Sequence, residues 1–147
     1  MEKIYETAHA KINLGLDVLG KRPDGYHEVR MVMQSIGLSD TVTIEEGEGL
    51  TVETDHGGLA GGPDNLAWKA AALLARSCGK TPNVHIRLNK KIFLAAGLAG
   101  GSSDAAAVLR GLNRLWRLNM TAADLEKLAA ELGSDIPFCV TGGTALA

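Results

Sequence analysis

Long apolar runs and clustered cysteines are missing from this sequence, aromatic residues are few, and neither charge is in large excess. No apolar stretch approaches the ~18 residues of a membrane-spanning helix, and Met1-Glu2-Lys3-Ile4 lacks the basic start and apolar run of a secretion signal. The expected compartment is therefore the cytoplasm, with no membrane partner. Cys78 and Cys139 show no Cys/His spacing suited to zinc, nor do His9, His56 and His85, so the cysteines are expected to be reduced, buried thiols and the histidines structural. Lys plus Arg (15) against Asp plus Glu (17) leaves a net charge of -2. That excludes broad attraction to nucleic acid or anionic lipid, and any anionic ligand must be held locally.

Glycine is abundant: 18 residues, against two each of Phe, Trp and Tyr. With 46% hydrophobic and 22% charged residues in 147, the chain suits one packed domain that spends its glycines on backbone loops. Alternation predicts a strand over Ala10–Leu19, a turn at Gly20–Gly25, and a second strand over Val29–Leu38. Thr41–Ile44 and Leu50–Glu53, joined through Glu46-Gly47-Glu48-Gly49, read as a surface hairpin. Asp64 is placed to cap a helix over Asn65–Ser77 that stops near Gly79, and Val84, Ile86 and Leu88 mark another strand. A helix follows from Ser102 towards Trp116, then a Thr121/Asp124 capping box opens a helix ending near Gly133. Ser134–Pro137 reads as a turn, and Phe138 onward as an apolar strand reaching Gly142-Gly143. Thr144–Ala147 reads as the interior of a strand, as though the sequence belonged to a longer chain.

Four constellations could carry chemistry. Leu94-Ala95-Ala96-Gly97-Leu98-Ala99-Gly100-Gly101-Ser102-Ser103-Asp104 lies between a strand and a helix, where backbone N–H groups can converge on an anion at a helix N-terminus. It is neither a Walker A loop nor GxGxxG, and an ordinary connection with Ser102 as N-cap fits equally well. Asp104 in the first helical turn would complement the helix dipole. Lys11 and Asn13 share one strand face and can reach a common ligand, though a strand lysine is more often a solvated charge. Asp135 before Ile136-Pro137 is aimed by the proline, a position where aspartate is mostly a turn former. Tyr26 and His27 set a ring beside an imidazole, able to stack on a base and hydrogen-bond its edge, or simply to pack.

Taken in order, these segments resemble the 4-diphosphocytidyl-2-C-methyl-D-erythritol kinases, a family of the GHMP kinase superfamily, along essentially the whole chain. The resemblance rests on Ala10–Leu14, Arg22–Glu28, the Gly97–Ala107 run GLAGGSSDAAA, Leu112–Trp116, Leu132–Phe138 and Gly142–Ala145. The GSSDAAA block indicates only the superfamily; Asp24-Gly25-Tyr26-His27 narrows it. The resemblance implies an α+β domain similar to the second domain of ribosomal protein S5, a mixed β-sheet with helices packed on one side. Residues 1–147 would be the N-terminal ATP-binding domain, with the C-terminal GHMP domain outside this chain. It implies ATP-dependent phosphorylation of the 2-hydroxyl of 4-diphosphocytidyl-2-C-methyl-D-erythritol, with magnesium accompanying ATP and Ser103 or Asp104 as conceivable ligands, by a monomer or homodimer. Lys11 and Asp135 would be the catalytic pair. The backbone from Leu94 through Ala95, Ala96, Gly97, Leu98, Ala99, Gly100, Gly101 and Ser102 to Ser103 would wrap the ATP phosphates, with Asn65, Leu66 and Lys90 near the adenine. Tyr26 and His27 would recognise cytosine, and Asn13 the methylerythritol hydroxyls. Two alternatives stay open: a homoserine- or mevalonate-type kinase of the same superfamily, or a non-catalytic nucleotide- or RNA-binding module.

Overall fold

The computed structural model describes residues 3–21, 27–54, 62–90, 100–133, 136–141 and 144–146, with backbone alone at 10–21, 27–38, 141 and 144–146. Two long strands, β1 (Lys3–Lys21) and β2 (His27–Glu46), pair antiparallel along their length, with breaks in register at His9/Lys11, Asn13/Gly15 and Val18/Gly20. β3 (Thr51–Thr54), α1 (Leu66–Cys78) and β4 (Val84–Asn89) follow, then α2 (Gly100–Leu115), α3 (Ala122–Leu132), α4 (Ile136–Thr141) and β5 (Thr144–Leu146). The sheet runs β1-β2-β4-β3, with β5 pairing antiparallel to β2 at Val32–Gln34. It is mixed, because β3 and β4 are parallel while the other pairs are antiparallel.

Alternation sorts the faces. Ile4, Ala8, Val42, Ile44, Val84, Ile86 and Leu88 are buried against the helices, while Tyr5, Thr41 and Arg87 between them are exposed. Helix α2 is enclosed. Every residue from Ser103 to Leu109, and Gly111 and Leu112, is buried, which follows from α2 packing on β1 and β2 on one side and α1, α3 and α4 on the others. Small residues make that enclosure possible: Ala105, Ala106 and Ala107 join Ala67, Ala70, Ala71 and Ala75 of α1 in the core, so the two helices can approach closely.

The caps are legible in the backbone. Thr121 and Asp124 form the expected reciprocal box, and Gly79 stops α1 in the left-handed region at φ 70. The α1 cap is Asn65 rather than Asp64, its Oδ1 accepting from Ala67 N at 2.8 Å.

Three expectations are corrected. Thr41–Ile44 is not a separate strand but the end of β2, because Ser39 and Asp40 keep pairing with His9 and Ala8. No surface hairpin forms, since β4 lies between β2 and β3 and Val42 and Ile44 are fully buried. The glycine-rich turn instead bonds to the approach of β4, Gly47 N donating to Asn83 O and Gly49 N to Asn83 Oδ1. Finally, the run from Phe138 is not a strand but part of helix Ile136–Thr141, which also takes in Ile136-Pro137 of the expected turn. A short apolar run fits either element, and here Ile136 and Val140 are buried at helical spacing with Pro137 tolerated in the first turn. Cys78 and Cys139 are free as expected, but Cys78 is exposed and Cys139 only half-buried.

Tight packing at one α2 position is directly testable. A Cβ on Gly111 would sit 2.6 Å from Ile44 Cδ1. Gly111→Ala is expected to cost about 1–3 kcal/mol despite the gain in helix propensity. In an Ile44→Val background, which removes that methyl, the same substitution should be neutral or stabilising; additive urea-unfolding energies across the double-mutant cycle would contradict this packing account.

Candidate functional site

The sequence-derived nucleotide residues gather where three elements meet. Asn65 caps α1, Leu66 is its first residue, and a Cβ on Gly101 would lie 3.5 Å from Leu66 Cδ1, so the starts of α1 and α2 are neighbours. The first turn of α2 carries no acidic side chain, leaving the positive end of a long helix uncompensated and its early N–H groups without an internal partner. That is the electrostatic condition for holding an anion. Helix α2 begins at Gly100, so Ser102 lies within it rather than capping it.

Asp104 does not serve the helix dipole. Its carboxylate turns inward, where Lys90 Nζ at the end of β4 lies 2.6 Å from Asp104 Oδ2 and 2.6 Å from Asp40 Oδ2 on β2. The three side chains are 1%, 3% and 0% exposed for Lys90, Asp104 and Asp40, so Lys90 offers no side-chain surface to a ligand. Two buried carboxylates against one ammonium would leave an uncompensated negative charge, and a proton on one of them removes it. Burial, with a hydrogen bond that protonated Asp104 donates to Asp40, raises the Asp104 pKa to about 8, against the lowering pull of Lys90. Asp104 Oδ1 meets no hydrogen-bond partner among the described residues, so nothing on that side holds the group ionised. Burial also works against the Lys90 ammonium, but the charge and hydrogen bonds of Asp104 and Asp40 outweigh it and raise its pKa.

Ser103 is likewise turned into the core, its Oγ donating to the carbonyl of His9 and lying 3.6 Å from Cys139 Sγ. This contact lays β1 beside the start of α2 one residue before the register break that precedes Lys11. For Lys11 and Asn13 the backbone alone is described, paired with Ser35 and Met33 of β2; His27 opens β2 opposite Lys21. Tyr26, the segment 91–99 with Leu94–Ala99, and Asp135 lie outside the described residues. The structure thus brings Asn65, Leu66, Gly101, Ser103 and Lys90 together and does not describe the Lys11–Asp135 separation. Sequence reasoning missed Asp40, which falls between the strands expected at Val29–Leu38 and Thr41–Ile44. It also missed Arg110, the one charge in the otherwise uncharged Ala105–Leu112 run of α2, a signal that could have been read.

The proton on Asp104 has a measurable consequence. A carboxyl whose folded pKa lies above its unfolded value of 3.8 stabilises fully below that value, and the contribution is lost as pH rises towards about 8. Asp104→Asn, which keeps a neutral hydrogen-bonding group beside Asp40, should flatten the fall in unfolding free energy between pH 5 and 8, whereas Lys90→Met should cost about 3–5 kcal/mol by stranding Asp40. Denaturant titrations across that range check both; an unchanged pH slope in Asp104→Asn would contradict the protonated assignment.

A relative from Synechococcus sp. (strain JA-3-3Ab), named 4-diphosphocytidyl-2-C-methyl-D-erythritol kinase, is 56% identical over 100% of this chain and 48% of its own length. A crystal structure of 4-(cytidine 5'-diphospho)-2C-methyl-D-erythritol kinase superposes with a TM-score of 0.82 at 40% identity, covering 98% of this chain and 51% of that one. Homoserine kinase from Cytophaga hutchinsonii shares the fold at a TM-score of 0.77 and 21% identity, over 99% of this chain and 48% of that one. The chain spans about half the length of the curated relatives it matches. The model of the GHMP kinases N terminal domain matches residues 65–143, from the α1 cap through α4, and the chain belongs to that family.

Proposed function

We propose that the chain is the nucleotide-binding half of an ATP-dependent kinase that phosphorylates the 2-hydroxyl of 4-diphosphocytidyl-2-C-methyl-D-erythritol. The observation that carries this reading is the contrast in identity: 56% to a kinase of that name, against 21% to a homoserine kinase of nearly the same fold. A shared fold says little about substrate, whereas the 56% identity extends over the whole of a chain that carries Asp24-Gly25-Tyr26-His27. The net charge of -2 disfavours the RNA-binding alternative. Among the described residues no helix is long and apolar enough to cross a membrane, in keeping with a small-molecule enzyme of the cytoplasm.

In this reading the start of α2 receives the triphosphate, its first N–H groups, which have no partner within the helix, and positive dipole end offsetting phosphate charge. Asn65 and Leu66 at the neighbouring start of α1 border the adenine. Transfer of the γ-phosphoryl group is in line, and the nucleophile is a tertiary alcohol far less acidic than a carboxylic acid. Asp135 therefore accepts the proton as the O–P bond forms rather than beforehand, while Lys11 keeps Asp135 ionised and offsets charge growing on the transferred group. Tyr26 and His27 hold the cytosine, and Asn13 the methylerythritol hydroxyls. Among the described residues no group of three or more His, Cys, Asp or Glu side chains could hold a metal ion, and Ser103 and Asp104 both face the core. Ser103 and Asp104, engaged with His9 and Lys90, are not placed to ligate a magnesium accompanying ATP.

Coupled ADP release with the cytidyl substrate, homoserine and mevalonate tests the reading, run on this chain and on a chimera joining it to the remaining half of the Synechococcus relative. Release with the cytidyl substrate alone is expected; equal or greater release with either other alcohol would overturn the substrate assignment. In the active form, Asp135→Ala should lower turnover by at least about a hundredfold with ATP affinity retained. Tyr26→Ala should weaken the cytidyl substrate selectively, by about 1–3 kcal/mol; an equal loss of ATP affinity would contradict a cytosine role.

A further inference from the structure

Strand β1 stands at the end of the sheet order, and side chains of α2 supply donors to its carbonyls. Ser103 Oγ donates to His9 O, Arg110 Nη2 to Thr7 O at 2.9 Å, and Arg114 Nη2 to Tyr5 O at 2.8 Å. Alternate carbonyls of the strand thus meet donors spaced by whole turns along one face of the helix. Arg110 reaches further than the other two. Its Nε donates to Glu6 Oε1 at 2.8 Å, and its Nη1 donates to Cys139 O at 2.8 Å and Val140 O at 3.1 Å, carbonyls near the end of α4. One guanidinium therefore joins α2, β1 and α4, and because its donors lie in a rigid plane, the strand and the short helix cannot shift independently without breaking bonds.

We propose that Arg110 is a positioning residue for phosphoryl transfer, locking α4 against β1 and so setting Asp135, which immediately precedes α4, relative to Lys11, which lies further along β1. This rests on the kinase reading above. The bridge acts through the two elements that carry the pair. Ser103, on the same α2 face, reinforces it by meeting both His9 O and Cys139 Sγ. A misplacement of about 1 Å between reacting groups can cost about a hundredfold in rate.

The test uses Arg110→Lys, which keeps a cation beside Glu6 without the planar fork, and Arg110→Ala. In the active form kcat should fall about ten- to a hundredfold in both, with KM for ATP changed by no more than about twofold. The acidic limb of the pH dependence of kcat should shift, because the environment of Asp135 changes, and added guanidinium ion should restore part of the kcat of Arg110→Ala. An unchanged kcat overturns the proposal, as does a fall in which KM for ATP rises by the same factor and the pH limb stays in place. If the unsubstituted protein releases no ADP from the cytidyl substrate, the kinase reading fails and the bridge is judged by amide hydrogen exchange in this chain. Arg110→Lys should then accelerate exchange in Thr7–His9 and Phe138–Val140 while β4 is unaffected; equal protection in both proteins would remove the bridge as well.

Discussion

A single enclosed ammonium decides where helix α2 begins. Lys90, on the last turn of chain after β4, lies between Asp40 of β2 and Asp104 of α2, so three elements distant in sequence are tied at one point within hydrogen-bond distance. Such a cluster contributes little net stability when compared with apolar packing, but it does not tolerate loss of one member, and it admits only one alignment of the helix against the sheet. The start of helix α2 then lies beside the start of α1, with the nearest α2 carboxylate engaged by Lys90.

Small side chains complete the arrangement. Alanines on the facing surfaces of α1 and α2 let those helices approach closely, and Gly111 leaves room for Ile44 where α2 crosses the sheet. The edge strand that carries Lys11 pairs with β2 on one side and is held to α2 by Ser103, Arg110 and Arg114. Packing, edge protection and the geometry of the site thus depend on one helix.

Much of this was legible in the chain. Alternation in Val84–Leu88, the Thr121/Asp124 box and the glycine after α1 each fix a local backbone state by themselves, and each is found where the residues place it. What failed to show was decided by distant partners. Nothing local in Leu50–Glu53 tells it to lie parallel to β4, nothing in Ile136–Thr141 separates a short helix from a short strand, and nothing beside Asp104 announces that Lys90 and Asp40 will claim it. Asn65 and Leu66 entered as candidates through the family resemblance alone, whereas Gly101 belongs to a glycine-rich run before a helix, a mark the residues themselves carry. Asp40 and Arg110 escaped because a single polar residue in an apolar surrounding states only that a partner exists, not which.

The central claim is that the amide end of α2 accepts phosphate. Backbone amide NMR shifts of Gly101, Ser102 and Ser103, followed as ATP and then adenosine are added to the chain, test it most directly. Large shifts at these residues with ATP and much smaller ones with adenosine are predicted; shifts of equal size with both ligands, or an ATP response confined to other parts of the fold, would contradict it.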